Sequence, residues 1–421
     1  MSFFRSALWP GLVVAVRTIV SIAINKLVAV YYGPGGITLL AHFQNLVSFF
    51  LSIQADGVNV GVLRFLSSGK GDAKQRSAYF NAGLLLNLLF FLIPCLFLFI
   101  FSNTLVTFFD AEVNSKTWLF IFLAGVFLQM LSFYFITVIL ADKKLRLYAL
   151  VNVVASLFSL VLSFFAAKNY SLTMVLLAVA VSPAISILIT FYYFIKRSDL
   201  YFLNSFTLDT KPYKELLKFC AMAVSIMVFG KVTDFLVRQF AIEHFSLFQT
   251  GLWQSAVKLS DSYTAAFTAI MGAVYFPKVS ELQNSTENLK VYVRKIGLSI
   301  TAILLVGFTL VSFFKEQVLL LLYHSEFVDA EQFVNYQLVG DFFKLLSFLL
   351  AYIVIARAKT GLFILLEGAS SLVYILFIFL FINSMAIDVD SVGIELVQFA
   401  NILRYFIYLV VLIIINRRYI F

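Results

Sequence analysis

The chain has 421 residues, of which 62% are hydrophobic and only 13% charged, a balance that excludes a soluble globular domain. A net charge of +9 would point to nucleic acid in a soluble chain. In one this apolar the sign belongs first to membrane topology, and no nucleic-acid partner is expected. Cys95 and Cys220 lie in or beside apolar segments without metal-ligand spacing, so neither a disulfide nor a metal site follows.

Apolar runs of about 20 residues, enough to cross roughly 30 Å of hydrocarbon, recur about twelve times. The expected spans are 8–31, 37–62, 80–101, 117–140, 147–167, 172–195, 219–241, 250–276, 296–314, 334–356, 362–383 and 392–415. The first is too long and too charged for a cleaved signal peptide. Gly33-Pro34-Gly35-Gly36 turns it into the second, and Pro277 ends the eighth. Pro94 and Pro183 fall inside spans three and six, where they should kink the helix. The fold expected is an all-α polytopic membrane protein with about 12 transmembrane helices in two six-helix lobes. The lobes are residues 1–197 and 219–421, joined by a cytoplasmic connection at 198–218.

With the N-terminus inside, about 21 of the 31 lysines and arginines fall in cytoplasmic segments, among them Lys143, Lys144, Arg417 and Arg418. The outer loops are acidic, with Asp110, Glu326 and Asp388 as examples. Both termini are therefore expected in the cytoplasm.

Charges inside the spans need a reason, since each costs roughly 2.5–3.5 kcal/mol at mid-bilayer and survives where it faces a partner or a wet cavity. The cations are Arg17, Lys26, Lys231, Arg238, Lys258, Lys344 and Arg404; the carboxylates include Asp56, Asp234, Asp261, Asp341 and Glu367. Lys231 and Asp234, Asp234 and Arg238, Lys258 and Asp261, and Asp341 and Lys344 stand three or four apart, so each pair can neutralise itself on one helix face. Arg17, Lys26 and Arg404 have no carboxylate within a turn and are the sharper candidates. Guanidinium and ammonium groups projecting inward suit a phosphate-bearing anion. The five carboxylates are candidates for a coupling ion or for a charge network.

Three segments carry a family resemblance: GLWQSAVKLSDSY at Gly251–Tyr263, YQLVGDFFKLLSFLLAYIVIARA at Tyr336–Ala358, and INKLVAVYYGPGGITLLAHFQNL at Ile24–Leu46. They resemble the Wzx-type flippases for lipid-linked oligosaccharides, in the branch that carries O-antigen or enterobacterial common antigen repeat units. The resemblance implies the fold of the multidrug, oligosaccharidyl-lipid and polysaccharide exporter superfamily, in the bacterial inner membrane. It also implies an undecaprenyl-pyrophosphate-linked oligosaccharide as cargo, alternating access between leaflets, and a H+ or Na+ gradient as drive. Within the matching segments it points to Lys26, Asp261, Asp341 and Lys344; Arg17 and Arg404 enter from their depth alone.

In the mechanism expected from this, Arg17, Lys231, Lys344 and Arg404 meet the pyrophosphate at the lobe interface. A carboxylate such as Asp56, Asp234 or Asp261 then resets the empty carrier. No cofactor beyond the coupling ion and no catalytic residue is expected; a glycan polymerase and a chain-length regulator are the expected partners besides the bilayer. Two alternatives remain open. A drug or cation antiporter of the same superfamily would want a mainly acidic cavity. A membrane glycan polymerase or glycosyltransferase would want a catalytic constellation in an outer loop, and the stretch 315–333 shows none.

Overall fold

The computed structural model describes residues 3–67, 73–108, 115–195, 210–282, 285–357, 360–384 and 393–420. Asp110, Asp388 and the stretch 198–209 of the long connection lie outside the described residues. Two compact units emerge, Met1–Tyr31 with Leu39–Lys231, and Tyr32–Thr38 with Val232–Phe421.

The first unit is built from α1 (Phe3–Ser52) without its Tyr32–Thr38 stretch, α2 (Asn59–Ser67), α3 (Ala73–Phe108), α4 (Ser115–Ala141), α5 (Leu145–Asn169), α6 (Leu172–Val181), α7 (Ser186–Ile195) and α8 (Thr210–Ile226). In the second follow α9 (Thr233–Phe245), α10 (Leu247–Ile270), α11 (Phe276–Leu282), α12 (Thr286–Phe313), α13 (Lys315–Leu322), α14 (Glu331–Ala356), α15 (Thr360–Ser384) and α16 (Glu395–Ile420).

Among the described residues, ten helical segments are long and apolar enough to cross a membrane. Gly33 breaks the first of them into two, and α10 supplies a further long helix that Gln254, Lys258, Ser260 and Asp261 make too polar to register by hydropathy. The described part of every expected span thus falls on helix, save Phe314, Gly393 and Ile394 at span ends, which are turn. The chain is a multi-pass membrane protein.

Local chemistry explains the breaks. Gly33 takes φ 63° and ψ −163°, a backbone that a Cβ would strain. The Thr38 hydroxyl of the same reversal donates to the Leu247 carbonyl at 2.9 Å. A Cβ on Gly251 would overlap the Pro34 carbonyl, so backbone meets backbone there and only glycine fits. Pro183 sits in the 3₁₀ turn Ser182–Ile185 between α6 and α7, where its missing N–H does least harm. In α3 the departure from helical dihedrals falls at Phe101 rather than at Pro94. Three π-helical turns, Ile53–Val58, Met227–Val232 and Met271–Tyr275, interrupt otherwise α-helical stretches. Such widened turns collect at functional sites, and Asp56 and Lys231 sit within the first two.

Each unit has its own apolar core. In the first, Val58 and Val62 pack with Phe80, Tyr134, Val138 and Leu216. In the second, Tyr275, Val279 and Leu289 join Leu345, Leu349 and Leu412. Large apolar side chains also cover the outside, with Phe99 83% and Phe313 78% exposed, as faces turned toward lipid rather than water should be.

Candidate functional site

The first unit opens two adjoining cavities. One, of about 260 Å³, is lined by Arg17, Ser21, Gln129, Asn152, Ser156 and Ser159. The other, of about 460 Å³, is lined by Ser48, Ser52, Asp56, Gln129 and Lys231. Gln44, Gln129, Phe133 and Val179 belong to both linings.

Arg17 is exposed on α1 and donates from Nη2 to the Asn152 side-chain carbonyl. Asn152 is itself fixed by its amide, which donates to the Tyr148 carbonyl at 2.7 Å one turn back on α5. One turn further on, the Ser156 hydroxyl donates to the Asn152 carbonyl at 2.8 Å. Asn45 donates to the Lys231 carbonyl at 3.1 Å, satisfying backbone where the π turn disturbs the regular ladder. The lining thus mixes amides and hydroxyls with apolar side chains such as Val20, Ile24, Val47 and Phe133, with one guanidinium at one end and a Lys and Asp at the other.

The second unit holds a smaller and more highly charged cavity, about 160 Å³, lined by Asp234, Arg238, Asp261, Lys344 and Arg404 together with Gln254 and Asn401. Here the two carboxylates are exposed, while Arg238 and Arg404 are only 8% and 7% exposed. Arg404 is tightly held: Nε donates to Ser370 Oγ at 2.9 Å and Nη2 to Ser371 Oγ at 3.4 Å. Its guanidinium also lies 4.8 Å from the Tyr405 ring centre and 5.3 Å from that of Tyr374, contacts that favour a desolvated cation.

Asp341 is fully buried; it accepts from the Tyr263 hydroxyl, from Gln337 Nε2 at 3.1 Å and faces Lys344 Nζ at 3.7 Å. Among the expected i,i+3 and i,i+4 pairs, Asp341 and Lys344 form this ion pair. A carboxylate so deeply buried holds Lys344 at the cavity wall rather than lining the cavity itself. Glu367 is half-buried and accepts from the Tyr408 hydroxyl at 2.6 Å.

The twelve charged residues singled out in the sequence therefore divide. Arg17, Asp56 and Lys231 line the cavities of the first unit, and Asp234, Arg238, Asp261, Lys344 and Arg404 that of the second. Asp341 and Glu367 stand behind the second cavity in hydrogen-bonded positions. Lys26 is exposed and Lys258 half-buried, and neither lines these three cavities. The sequence reading missed the neutral lining, Gln44, Gln129, Asn152, Ser156 and Ser159. A signal existed: Asn152, Ser156 and Ser159 are spaced i, i+4, i+7 along the otherwise apolar α5, a polar stripe on one helix face.

No protein-family model matches the chain. A curated relative, the Lipid III flippase of Escherichia coli (strain K12), is 24% identical over 376 residues, covering 87% of this chain and 88% of the relative. The Lipid III flippase of Shigella flexneri matches to the same extent. Among solved structures, a multidrug resistance MATE family transporter of the MOP superfamily in an inward-facing conformation superposes with a TM-score of 0.78 at 14% identity, covering 95% of this chain and 94% of that one. The lipid II flippase MurJ, in an inward closed conformation, gives 0.74 at 13% identity, covering 98% and 87%. The all-helical fold is the exporter-superfamily fold.

Proposed function

We propose that the chain is a flippase of the Wzx type that carries an undecaprenyl-pyrophosphate-linked oligosaccharide, an O-antigen or related surface-glycan repeat unit, from the cytoplasmic to the periplasmic leaflet of the bacterial inner membrane. The observation that carries this reading is the lining of the first unit's cavities, an exposed guanidinium among amides and hydroxyls interleaved with apolar side chains. Amide and hydroxyl groups exchange hydrogen bonds with sugar hydroxyls in place of water, and the guanidinium supplies the paired donors that phosphate oxygens accept. The relatives named as lipid III flippases support the same cargo class.

In this mechanism Arg17 and Lys231 grip the anionic linkage while the neutral lining solvates the glycan. The two lobes of the sequence reading, 1–197 and 219–421, would alternate access. The exposed carboxylates Asp234 and Asp261, balanced by buried Arg238 and Arg404, take up the H+ or Na+ that resets the carrier. Asp56 is a second place for such an ion. The buried cations of the second unit then neutralise and position those carboxylates, a different role from the substrate binding expected of Arg238, Lys344 and Arg404 from the sequence. The protein transports without forming or breaking covalent bonds, and a glycan polymerase and chain-length regulator would act on what it delivers.

Deletion of the gene tests the reading. Undecaprenyl-pyrophosphate-linked single repeat units should accumulate on the cytoplasmic side and the surface glycan should vanish, with rescue by wild type but not by Arg17→Ala. Surface glycan persisting as single repeat units would place the block after translocation and favour a polymerase. The exposed Asp234 and Asp261 favour a second reading, a drug or cation antiporter; export of a lipophilic cation in place of repeat-unit translocation would establish it.

A further inference from the structure

Outside these cavities, the second unit carries an apolar groove of about 410 Å³ between α12, α14 and α16. Gly297 and Thr301 form its floor along α12, Leu346 and Leu349 of α14 one wall, and Leu409 and Ile413 of α16 the other. A Cβ on Gly297 would meet nothing within 4 Å, so the groove is open at that level. Arg294, exposed, is the one charged residue of its lining.

The end of the groove at Arg294 is basic. Lys290 precedes Arg294 by one turn on the same face of α12. Arg357, at the end of α14, stacks on Tyr419 of α16 at 4.4 Å from the ring centre. Arg417 and Arg418 occupy the last turn of α16, three and two residues before the groove-lining Ile420. Glu287, in the first turn of α12, is the acidic group nearest this cluster in sequence. From Arg294 to Thr301 the helix rises by about 10 Å, comparable with one leaflet's half of a hydrocarbon core roughly 30 Å thick. An apolar slot of one-leaflet depth, open along a glycine and crowned by cations, has the shape and charge of a lipid seat.

We propose that this groove binds an anionic glycerophospholipid, one acyl chain lying against Gly297 and Thr301 and the phosphate seated at Arg294. Basic residues at a membrane surface draw acidic lipids by about fivefold each, and the cluster supplies several. A polyprenyl carrier fits less well, because its chain far exceeds the depth of one leaflet. The site lies apart from the charged cavity of the same unit and does not depend on what the protein transports.

The test is to purify wild type, Arg294→Gln and Gly297→Leu in mild detergent, then add phosphatidylglycerol, phosphatidylethanolamine or undecaprenyl phosphate and quantify retained lipid per protein by native mass spectrometry. Wild type should retain phosphatidylglycerol in preference to phosphatidylethanolamine. Arg294→Gln should lower that retention about fivefold, and Gly297→Leu, which fills the slot, should abolish it. Arg294 is exposed and its loss leaves the fold intact, so this variant decides the matter even where Gly297→Leu fails to purify. Equal retention of the two phospholipids, displacement of phosphatidylglycerol by undecaprenyl phosphate, or wild-type retention by Arg294→Gln would each overturn the proposal.

Discussion

The two units place their polar groups in opposite ways. Around the first unit's cavities the charged residues are few, Arg17 and Asp56 exposed and Lys231 half-buried, and most of the lining is neutral: Gln44, Gln129, Ser156 and Ser159 surround Arg17. Around the second unit's cavity the charges are dense, with Arg238 and Arg404 buried and Lys344 half-buried: Arg404 has Ser370, Ser371 and two aromatic faces, and Lys344 has Asp341. A roomy, neutral, hydroxyl-rich lining suits a large solute that must be held loosely and released. A tight cavity of about 160 Å³ with two carboxylates at its surface suits an ion or a few waters. The difference teaches that a count of intramembrane charges does not locate the cargo; the partners of each charge do.

The comparison breaks most visibly at Asp341. Asp341→Ala removes the carboxylate from a fully buried position and takes from Lys344 its ion-pair partner and from the hydroxyl of Tyr263 and the amide of Gln337 their acceptor. Breaking a buried pair in this way costs about 3–5 kcal/mol, so the variant should lose most folded protein, read by size-exclusion profile and thermal melt. Wild-type stability would show that Asp341 is not the structural anchor described and return it to the set of coupling carboxylates.

Arg17→Ala should do the reverse, sparing the fold and lowering translocation. The hydrogen bonds of a charged group contribute about 1.5–3 kcal/mol, which corresponds to roughly a 10- to 150-fold fall in transport. Its melting temperature should stay at the wild-type value, because the side chain is exposed. A matched loss of stability and transport would mean that Arg17 belongs to the packing of α1 against α5, and that the two units do not differ as argued.

How much of this could be read in the chain follows from the range of each interaction. The spans were legible because an apolar run of about 20 residues is a local property, and the Gly33 turn because glycine and proline act on their own backbone. The Asp341–Lys344 pair was legible at i, i+3 spacing. The direction of a charge is another matter: Arg17 and Lys26 lie on one helix, yet of the two Arg17 lines one of the three cavities described and Lys26 none of them, since the rotation of α1 is set by what packs against it. The partners Tyr263 for Asp341, Tyr408 for Glu367 and Ser370 for Arg404 come from helices 34 to 78 residues away, and no local pattern announces them. The stripe of Asn152, Ser156 and Ser159 was written at helical spacing but carries no charge, so a search for charges passed over it.

Arg404→Lys sharpens the comparison at a smaller scale. Lysine keeps the charge but loses the planar fork that reaches Ser370 and Ser371 and the flat face that stacks on Tyr405. The expected loss is about 1–2 kcal/mol of stability, seen as a lower melting temperature, with translocation reduced only through the amount of folded protein. A transport defect in the folded fraction would instead make Arg404 a direct contact of the solute.

The smallest effect expected is the most specific. Asn152 accepts from Arg17 and donates to Tyr148, so Asn152→Ala leaves the guanidinium in place but free to turn. One hydrogen bond contributes about 0.5–1.5 kcal/mol, and translocation should fall roughly two- to tenfold. The double variant Arg17→Ala/Asn152→Ala decides whether the amide acts through the guanidinium. Where two residues work as a pair, the effect of the second disappears once the first is gone, so the double variant should transport no worse than Arg17→Ala alone. A further fall in the double variant would give Asn152 its own contact with the solute and make the neutral stripe on α5, rather than the Arg17 guanidinium on α1, the principal grip of the first unit.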